Sequence, residues 1–296
     1  MAQSGPWVRL AGISVSKLPV GFTGIEPSNK VISSEGTGDG SGSGSAAIDL
    51  KAFITEVLSE SIPFIDGVAP KSGGNTTWHK KGSPKKFHVS EAPVYVYEKS
   101  VSNETWFCRK SSHRNAEEKG TASWDEFVTS FKENHAESEK AFTPTVIGAR
   151  KAMTWDTTGI EVNIGSEKWT DITLVVEEMK HKIEPKPLKN RTFPVLQLAA
   201  NLVGSQEFII ISIPLNDFPK SPYAEYARDT SLVVGFYVSV ERIRVLPSDG
   251  EIEWIMATAS NAAGVLPQWM QNMAVPGVIA KDVEYFLSWI SSQRKG

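Results

Sequence analysis

The stretch SLVVGFYVSVERIRVLPSDGEIEWIMATAS, residues 231–260, decides the fold. Apolar residues alternate over 231–245 and again over 251–260, and Ser248-Asp249-Gly250 separates the two runs. An Asp-Gly pair in this position favours a hairpin, because both residues tolerate the positive φ angles of a tight turn. A helical pattern rich in large apolar residues begins at Val265 and continues nearly to the C-terminus. We predict a helix that closes over the sheet and leaves a hydrophobic pocket between them.

The closing helix is predicted to consist of two segments. Pro276 suits the first turn of a helix, so one segment over 266–273 and another over 276–293 would meet at Ala274-Val275.

Most of the chain before the hairpin reads as short strands framed by helices. Residues 48–62 place apolar side chains at helical spacing. Ser123 and Glu126 form a predicted capping box that starts a helical region to about Phe142, followed by a second short helix ending near Met153. Strand patterns lie at 87–89, 94–98, 105–110, 159–164, 169–181, 191–201 and 207–213. The last of these is apolar on both faces, so we predict that the N-terminal helices cover one face and that the pocket or the closing helix covers the other.

A run rich in Gly and Ser divides the chain at residues 33–47. It contains too few apolar side chains to offset the entropy lost on ordering, so we predict a flexible loop. The chain is accordingly predicted to have an N-terminal extension over 1–47 and one domain over 48–296.

Composition excludes several classes of protein. A net charge of −3 over 296 residues gives no electrostatic reason to expect a nucleic-acid partner. The single cysteine, Cys108, excludes an intrachain disulfide and is predicted to be a small buried hydrophobic residue. No apolar run reaches the ~20 residues of a membrane span and no signal-peptide pattern is present, so we expect a cytoplasmic protein. A metal site on the helix would need His135, Glu137 and Glu139 on one face, and their spacing does not place them so. We therefore predict an exposed polar surface there, and we expect no metal and no cofactor.

The C-terminal pattern resembles the START superfamily of lipid-transfer domains. Its elements are Val240-Glu241-Arg242, Glu251–Trp254 and Gly264-Val265-Leu266-Pro267. Further motifs resemble, more closely, a fungal domain family of unknown function within that superfamily, and they lie at 104–111, 178–182, 191–195 and 253–259. The resemblance implies an α+β helix-grip fold, in which a curved antiparallel sheet is closed by a long C-terminal helix around a hydrophobic cavity. It further implies binding of an apolar small molecule, such as a lipid, a sterol or a polyketide-like compound, possible transfer of that ligand, and transient contact with a membrane.

Candidate ligand-binding residues follow from strand face, helix position and this resemblance. The predicted cavity wall consists of Leu196, Phe236, Trp254, Met256, Trp269, Met270 and Met273. Buried charged pairs contact the ligand's polar group in START relatives, so Arg191 and Arg242, with Glu178, are the predicted polar anchors.

Two alternatives to simple binding stay open. The same cavity would suit an enzyme of fungal secondary metabolism, such as a cyclase, a hydrolase or a pericyclase, with Glu178, His181 and Tyr237 as acid, base or hydrogen-bond donor. Alternation places Glu177 and His181 on one strand face and Glu178 on the other. Glu177 and His181 are about 13 Å apart along the strand and would need strand curvature to meet, so pairing of Glu178 or His181 with Arg191 or Arg242 of another strand is favoured. The second alternative is an adaptor whose cavity is filled by side chains.

Overall fold

The computed structural model describes residues 5–27, 31–33, 48–71, 74–265 and 267–294. Nearly all of the predicted flexible loop, residues 34–47, lies outside the described residues, and the division of the chain at residue 47 stays a prediction. Residues Phe22–Ile25 nevertheless pair with Trp155–Met153 of the main sheet, so the described part of the N-terminal segment packs on the domain.

Four α-helices and thirteen strands are formed by the described residues. Their order is β1 (Phe22–Ile25), β2 (Val31–Ser33), α1 (Leu50–Asp66), β3 (His79–Lys80), β4 (Tyr95–Val101), β5 (Glu104–His113), α2 (Trp124–Phe127), a π-helix (Val128–Glu133), α3 (His135–Phe142), β6 (Val146–Trp155), β7 (Val162–Ile164), β8 (Glu167–His181), β9 (Arg191–Leu202), β10 (Glu207–Pro214), β11 (Val233–Val234), β12 (Phe236–Val245), β13 (Ile252–Asn261) and α4 (Gln268–Gln293). Short 3₁₀ helices lie at Val15–Lys17, Phe218–Lys220 and Tyr226–Arg228.

One antiparallel sheet contains these strands, in the order β2-β1-β6-β8-β9-β10-β12-β13-β5-β4-β3. Strand β7 pairs with β8, and β11 adds to β9 in the parallel direction. The predicted hairpin is confirmed as β12–β13, which pairs from Phe236↔Asn261 to Val245↔Ile252. Gly250 in its turn has a φ of 75°, the left-handed conformation that favours glycine.

Helices cover both faces of this sheet. The α1 face carries Ile209 and Ile211, which belong to one hydrophobic core together with Phe53 and Leu58 of α1. Asp49 caps α1 by accepting a 2.7 Å hydrogen bond from the Ala52 amide. The α4 face carries other β10 side chains, which pack in a second core with the apolar stripe of α4. The prediction that residues 208–213 are covered on both sides is therefore confirmed, and each buried side chain of this size contributes about 1.5–3 kcal/mol.

The closing helix α4 is continuous, so the predicted two-segment arrangement is wrong. It runs from Gln268 to Gln293 with Pro276 inside. Proline removes one backbone donor, yet the helix persists because its second half is anchored by Val283, Phe286 and Leu287, which are fully buried.

The helical region before β6 also differs from the prediction. The capping box of Ser123 and Glu126 is confirmed, but α2 passes into the π-helix, and α3 starts again after Asn134. Residues assigned to a helix ending near Met153 form β6 instead, because they pair with both β8 and β1. This tertiary pairing overrides the helix-favouring composition of the segment.

Candidate functional site

The α4 face of the sheet has two regions that differ in packing. Beneath the second half of α4 lies the aromatic cluster, in which Phe286 contacts Phe127, Phe131, Phe142 and Trp254 with ring centroids 4.8–5.9 Å apart. Trp254 and Phe286 have no exposed surface. This region is a filled core.

Elsewhere on the same face several side chains are only half-buried. They are Phe193 of β9, Tyr237 and Ser239 of β12, and Met256 of β13, and we call the surface that they form, together with its polar neighbours described below, the recess. The Phe193 and Tyr237 rings lie 5.7 Å apart. Side chains that keep free surface on a face covered by helices mark the part of the fold that is not filled by protein atoms.

A row of polar side chains crosses the recess in register. Gln197, Ser212, Ser239 and Thr258 are direct partners on four neighbouring strands, β9, β10, β12 and β13. Four aligned polar groups on a sheet face that is otherwise apolar are suited to orienting a bound molecule.

His135 of α3 faces this row. The Gln197 amide nitrogen lies 3.2 Å from His135 Nδ1, and with Nδ1 accepting that hydrogen bond the Nε2 proton points to Glu241 Oε2, 3.6 Å away. Burial alone would lower the pKa of His135, but the Glu241 and Glu139 carboxylates outweigh it and raise the pKa. The predicted exposed polar face is therefore wrong for His135.

Arg109 of β5 is the buried cation of the site. Its Nη2 donates a 3.0 Å hydrogen bond to Glu241 Oε1, which also accepts one of 2.6 Å from Trp254 Nε1. On the other side, Asp282 of α4 lies 3.7 Å from Arg109 Nε. Arg109 Nε and Nη1 are buried without a hydrogen-bond partner in the described part of the chain. Against the cost of burial, the hydrogen bond with His135 and the charge of Arg109 lower the pKa of Glu241.

The pKa of Asp282 is shifted in the opposite direction from that of Glu241. Burial raises its pKa to about 7, because desolvation of the carboxylate outweighs the attraction of Arg109. Its charge therefore changes near neutral pH at the contact between α4 and the sheet.

The Asp282→Asn variant is expected to be more stable than the unmodified protein at pH 8, with a smaller gain at pH 5. Between the ordinary value of 3.8 and the folded-state pKa of about 7, the folded protein holds a proton that the unfolded chain has released. The contribution of Asp282 to stability therefore falls as the pH rises through this window, and asparagine removes the fall. Guanidinium unfolding at both pH values measures the effect, with Glu284→Gln on the same helix as control. An Asp282→Asn variant that is less stable at pH 8 would contradict the assignment.

Three further groups near the recess are perturbed by burial. Desolvation raises the pKa of Glu177 and of Tyr237, and it lowers the pKa of His181. The neighbouring carboxylates of Glu139 and Glu177 raise the pKa of Tyr237 further, although a hydrogen bond with Ser212 opposes the shift. At neutral pH, Tyr237 is therefore a protonated hydrogen-bond donor and His181 is a neutral imidazole.

Only some of the predicted site residues lie at the recess. His181, Tyr237 and Met256 border it, and Trp254 lies beside it in the aromatic cluster. Met270 and Met273 point to solvent from the first half of α4 and are not wall residues. The Trp269 side chain lies outside the described part of the structure.

The predicted polar anchors are placed differently. Glu178 is on the α1 face, where it accepts hydrogen bonds from Arg150 and from the amides of Glu225 and Ala227. Arg242 is on the same face and pairs with Asp66. These two residues stabilise loops on the far side of the sheet and lie outside the recess.

The other predicted wall and anchor residues also have structural contacts. Leu196 belongs to the core under α1, and Phe236 lines a surface cleft with Leu10 and Asn261. Arg191 is buried on the α4 face and donates a 2.6 Å hydrogen bond to the Ala262 carbonyl in the linker between β13 and α4. Arg191 therefore fixes the start of the closing helix.

Two clefts open on the surface away from α4. One, of about 390 Å³, is lined by the β5 residues Lys110–His113 together with Glu91 and Tyr95, and the other, of about 340 Å³, contains Phe236. Neither includes a residue of the recess, which is the candidate site because of its half-buried side chains and its polar row.

Comparison with known proteins agrees with this architecture. A family model described as Protein of unknown function (DUF3074) matches residues 106–290, more than half of the chain. No curated protein sequence matches the chain. No helix of the described residues is long and apolar enough to cross a membrane.

Two solved human structures share the fold. Human STARD10 gives a TM-score of 0.53 at 15% identity, over 85% of this chain and 82% of that chain. Human StAR-related lipid transfer protein 5 gives 0.52 at 13% identity, over 80% of this chain and 99% of that chain. The START-like helix-grip fold predicted from the sequence is confirmed, and at these identities the likeness concerns the fold alone.

Proposed function

We propose that this chain, which belongs to the family described as Protein of unknown function (DUF3074), binds an apolar small molecule in the recess beneath α4. A lipid, a sterol or a polyketide-like compound has the required chemistry, and a cytoplasmic location is part of the same proposal. The lipid-transfer name of one structural neighbour supports this class of ligand.

The observation that carries the proposal is the contrast between the recess and the aromatic cluster. Phe193, Tyr237 and Met256 keep free surface on the face that α4 covers, whereas Trp254 and Phe286 keep none. A partly covered space with mainly apolar walls and few polar groups is the usual form of a small-molecule site.

Polar anchors are available at the border of this space. The ion pair of Arg109 with Glu241 lies there, with Asp282 3.7 Å from Arg109 Nε on its other side. The Tyr237 hydroxyl and the row through Ser239 offer further hydrogen bonds.

A recess-filling variant tests the proposal. We expect Ser239→Phe to lower the affinity for the neutral fluorescent probe N-phenyl-1-naphthylamine by at least about tenfold, because the new ring occupies the proposed ligand space. Fluorescence titration of the delipidated protein measures the affinity, and native mass spectrometry before delipidation detects any co-purifying ligand. Ser205→Phe, in the exposed turn between β9 and β10, is the matched control. Equal probe affinity in both variants would contradict binding in the recess.

Transfer of the ligand would require contact with a lipid surface, and the first half of α4 is suited to it. Met273 and Val278 are 74% and 60% exposed, and Val265 and Met270 are exposed nearby. Apolar side chains grouped at one end of a helix favour docking on an interface.

We expect the double variant Met270→Gln with Met273→Gln to bind phosphatidylcholine vesicles about tenfold more weakly than the unmodified protein, since burial of one such side chain contributes about 1.5–3 kcal/mol. Co-sedimentation measures the bound fraction. Val203→Gln removes an exposed apolar side chain in a distant turn and should have no effect. Unchanged binding of the double variant would exclude this docking surface.

An enzyme of fungal secondary metabolism, such as a cyclase, a hydrolase or a pericyclase, is the second candidate. His181 and Tyr237 flank the Phe193 ring, with centroids 5.1 and 5.7 Å from it. A neutral imidazole and a protonated phenol on one wall supply a base and a hydrogen-bond donor. Turnover that is lost in Tyr237→Phe and His181→Asn, but kept in variants of Glu178, would favour this candidate over simple binding.

A further inference from the structure

Charge is unequally distributed around the recess. The carboxylates that face it or border it are Glu139, Glu177, Glu241 and Asp282. The basic groups among them are Arg109 and His135, whose pKa is raised. Arg109 pairs with Glu241 and Asp282, and His135 lies 3.9 Å from Glu139 and 3.6 Å from Glu241, so neither group makes an ion pair with Glu177, although the charges of His135 and Lys151 act on Glu177 from a distance.

Glu177 is the carboxylate that lacks a partner. Its side chain is 6% exposed, and within the described residues it makes no hydrogen bond and no ion pair. Its strand neighbour Lys151 is exposed and forms no ion pair with it. The Glu177 oxygens are not among the polar atoms that surrounding protein seals off, which indicates that they face free space.

The pKa shifts around the recess have a common direction. Those of Glu177, Asp282 and Tyr237 are raised, chiefly by burial, and the pKa of His135 is raised by the Glu241 and Glu139 carboxylates. Each shift reduces negative charge or increases positive charge in the same desolvated volume. There are two exceptions: His135, Arg109 and Trp254 lower the pKa of Glu241, and burial lowers the pKa of His181.

We propose that the ligand of the recess is an apolar molecule with a positively charged group, such as a protonated amine, and that Glu177 is the residue that balances this charge. The inference rests on the proposed binding function and names its substrate class. An ammonium group next to Glu177 would restore the charge balance, and the row through Gln197, Ser212 and Ser239 would accept its remaining hydrogen bonds. A carboxylate ligand would add to the existing excess of negative charge.

The test compares three ligands with the same chain and different ends: dodecylamine, dodecanol and dodecanoate, each below its micelle concentration at pH 8. Their displacement of N-phenyl-1-naphthylamine from the full-length, delipidated protein gives the affinities. We expect dodecylamine to bind at least about tenfold more tightly than dodecanol, and dodecanoate to bind weakest. Dodecanol or dodecanoate binding as tightly as the amine would overturn the inference while leaving apolar ligand binding intact. Failure of all three ligands to displace the probe would overturn the proposed function as well.

A variant pair assigns the charge recognition to Glu177. Glu177→Gln is expected to lower the dodecylamine affinity about tenfold and to leave the dodecanol affinity unchanged. Glu56→Gln removes an exposed carboxylate of α1, on the other side of the sheet, and is the control that should change neither. Full amine selectivity in Glu177→Gln would overturn the role of this residue. If that variant lost dodecanol binding too, the comparison of ligands on the unmodified protein would still decide the ligand class.

The pH profile gives an independent readout. Because Glu177 takes up a proton as the pH falls, the preference for amine over alcohol should shrink on acidification, whereas dodecanol affinity stays constant. Protonation of the nearby His135 and Asp282 would add to the same trend. An amine preference that grows on acidification would contradict the inference.

Discussion

The Phe286→Ala variant is expected to lose about 3–5 kcal/mol of the free energy of unfolding, the range for removal of a large buried ring. Phe286 joins α4 to four aromatic residues of the sheet and helices, and it is completely buried. Its removal leaves a cavity that the surrounding rings cannot close without shifting the helix. The guanidinium midpoint at a constant denaturant slope measures the loss.

Ser288→Ala is the control for Phe286. Ser288 lies two residues further along α4 and is exposed, so its replacement should change stability by less than about 0.5 kcal/mol. A loss below 1 kcal/mol in Phe286→Ala would mean that the aromatic cluster does not hold α4 on the sheet.

Replacement of Glu178 by alanine is expected to cost about 3–5 kcal/mol, the range for breaking a buried ion pair. Glu178 Oε2 accepts hydrogen bonds of 2.8 Å from Arg150 and 2.9 Å from the Glu225 amide, and Oε1 accepts one of 2.6 Å from the Ala227 amide. The two amides would be left without an acceptor, and Arg150 Nη1 would keep only the Tyr223 carbonyl. Thermal or denaturant unfolding measures the cost.

Glu225→Ala is the matched control for Glu178. Glu225 also pairs with Arg150, at 3.1 Å, but its side chain is 43% exposed, so its loss should cost at most about 1 kcal/mol. Because Glu178 lies on the α1 face, its replacement should leave the affinity for N-phenyl-1-naphthylamine unchanged in protein that remains folded. A selective loss of probe affinity would place Glu178 in the ligand site after all.

The hairpin could be predicted because local signals agreed along its whole length. Alternating apolar residues and an Asp-Gly turn specify β12 and β13 without information from the rest of the chain. Strand β6 could not, because its pairing with β1 and β8 is non-local and its residues also suit a helix.

The site was harder to predict for two physical reasons. Both sheet faces are covered, so apolar residues occupy both sets of alternate positions, and the pattern cannot tell which set faces α4. For this reason the predicted cavity wall includes Leu196, which faces α1, rather than its neighbours Val195 and Gln197, which have the opposite orientation. The prediction is wrong for His135 because the two-residue offset separates only Glu137, which is exposed; His135 and Glu139 lie one turn apart, and His135 contacts Gln197 and Glu241 of the sheet.

The two ends of α4 are anchored unequally, so one end of the helix can move away from the sheet without unfolding of the domain. The C-terminal end of α4, its far end, is held by the aromatic rings and by Arg294, which pairs with Glu126. The N-terminal end, its near end, exposes methionines to water and is tied to the domain by Arg191 at the linker. A tilt of the near end would break few contacts, so its free energy lies far below that of global denaturation. The near end of α4 can thus move on the timescale of a local fluctuation while the rest of the domain stays native.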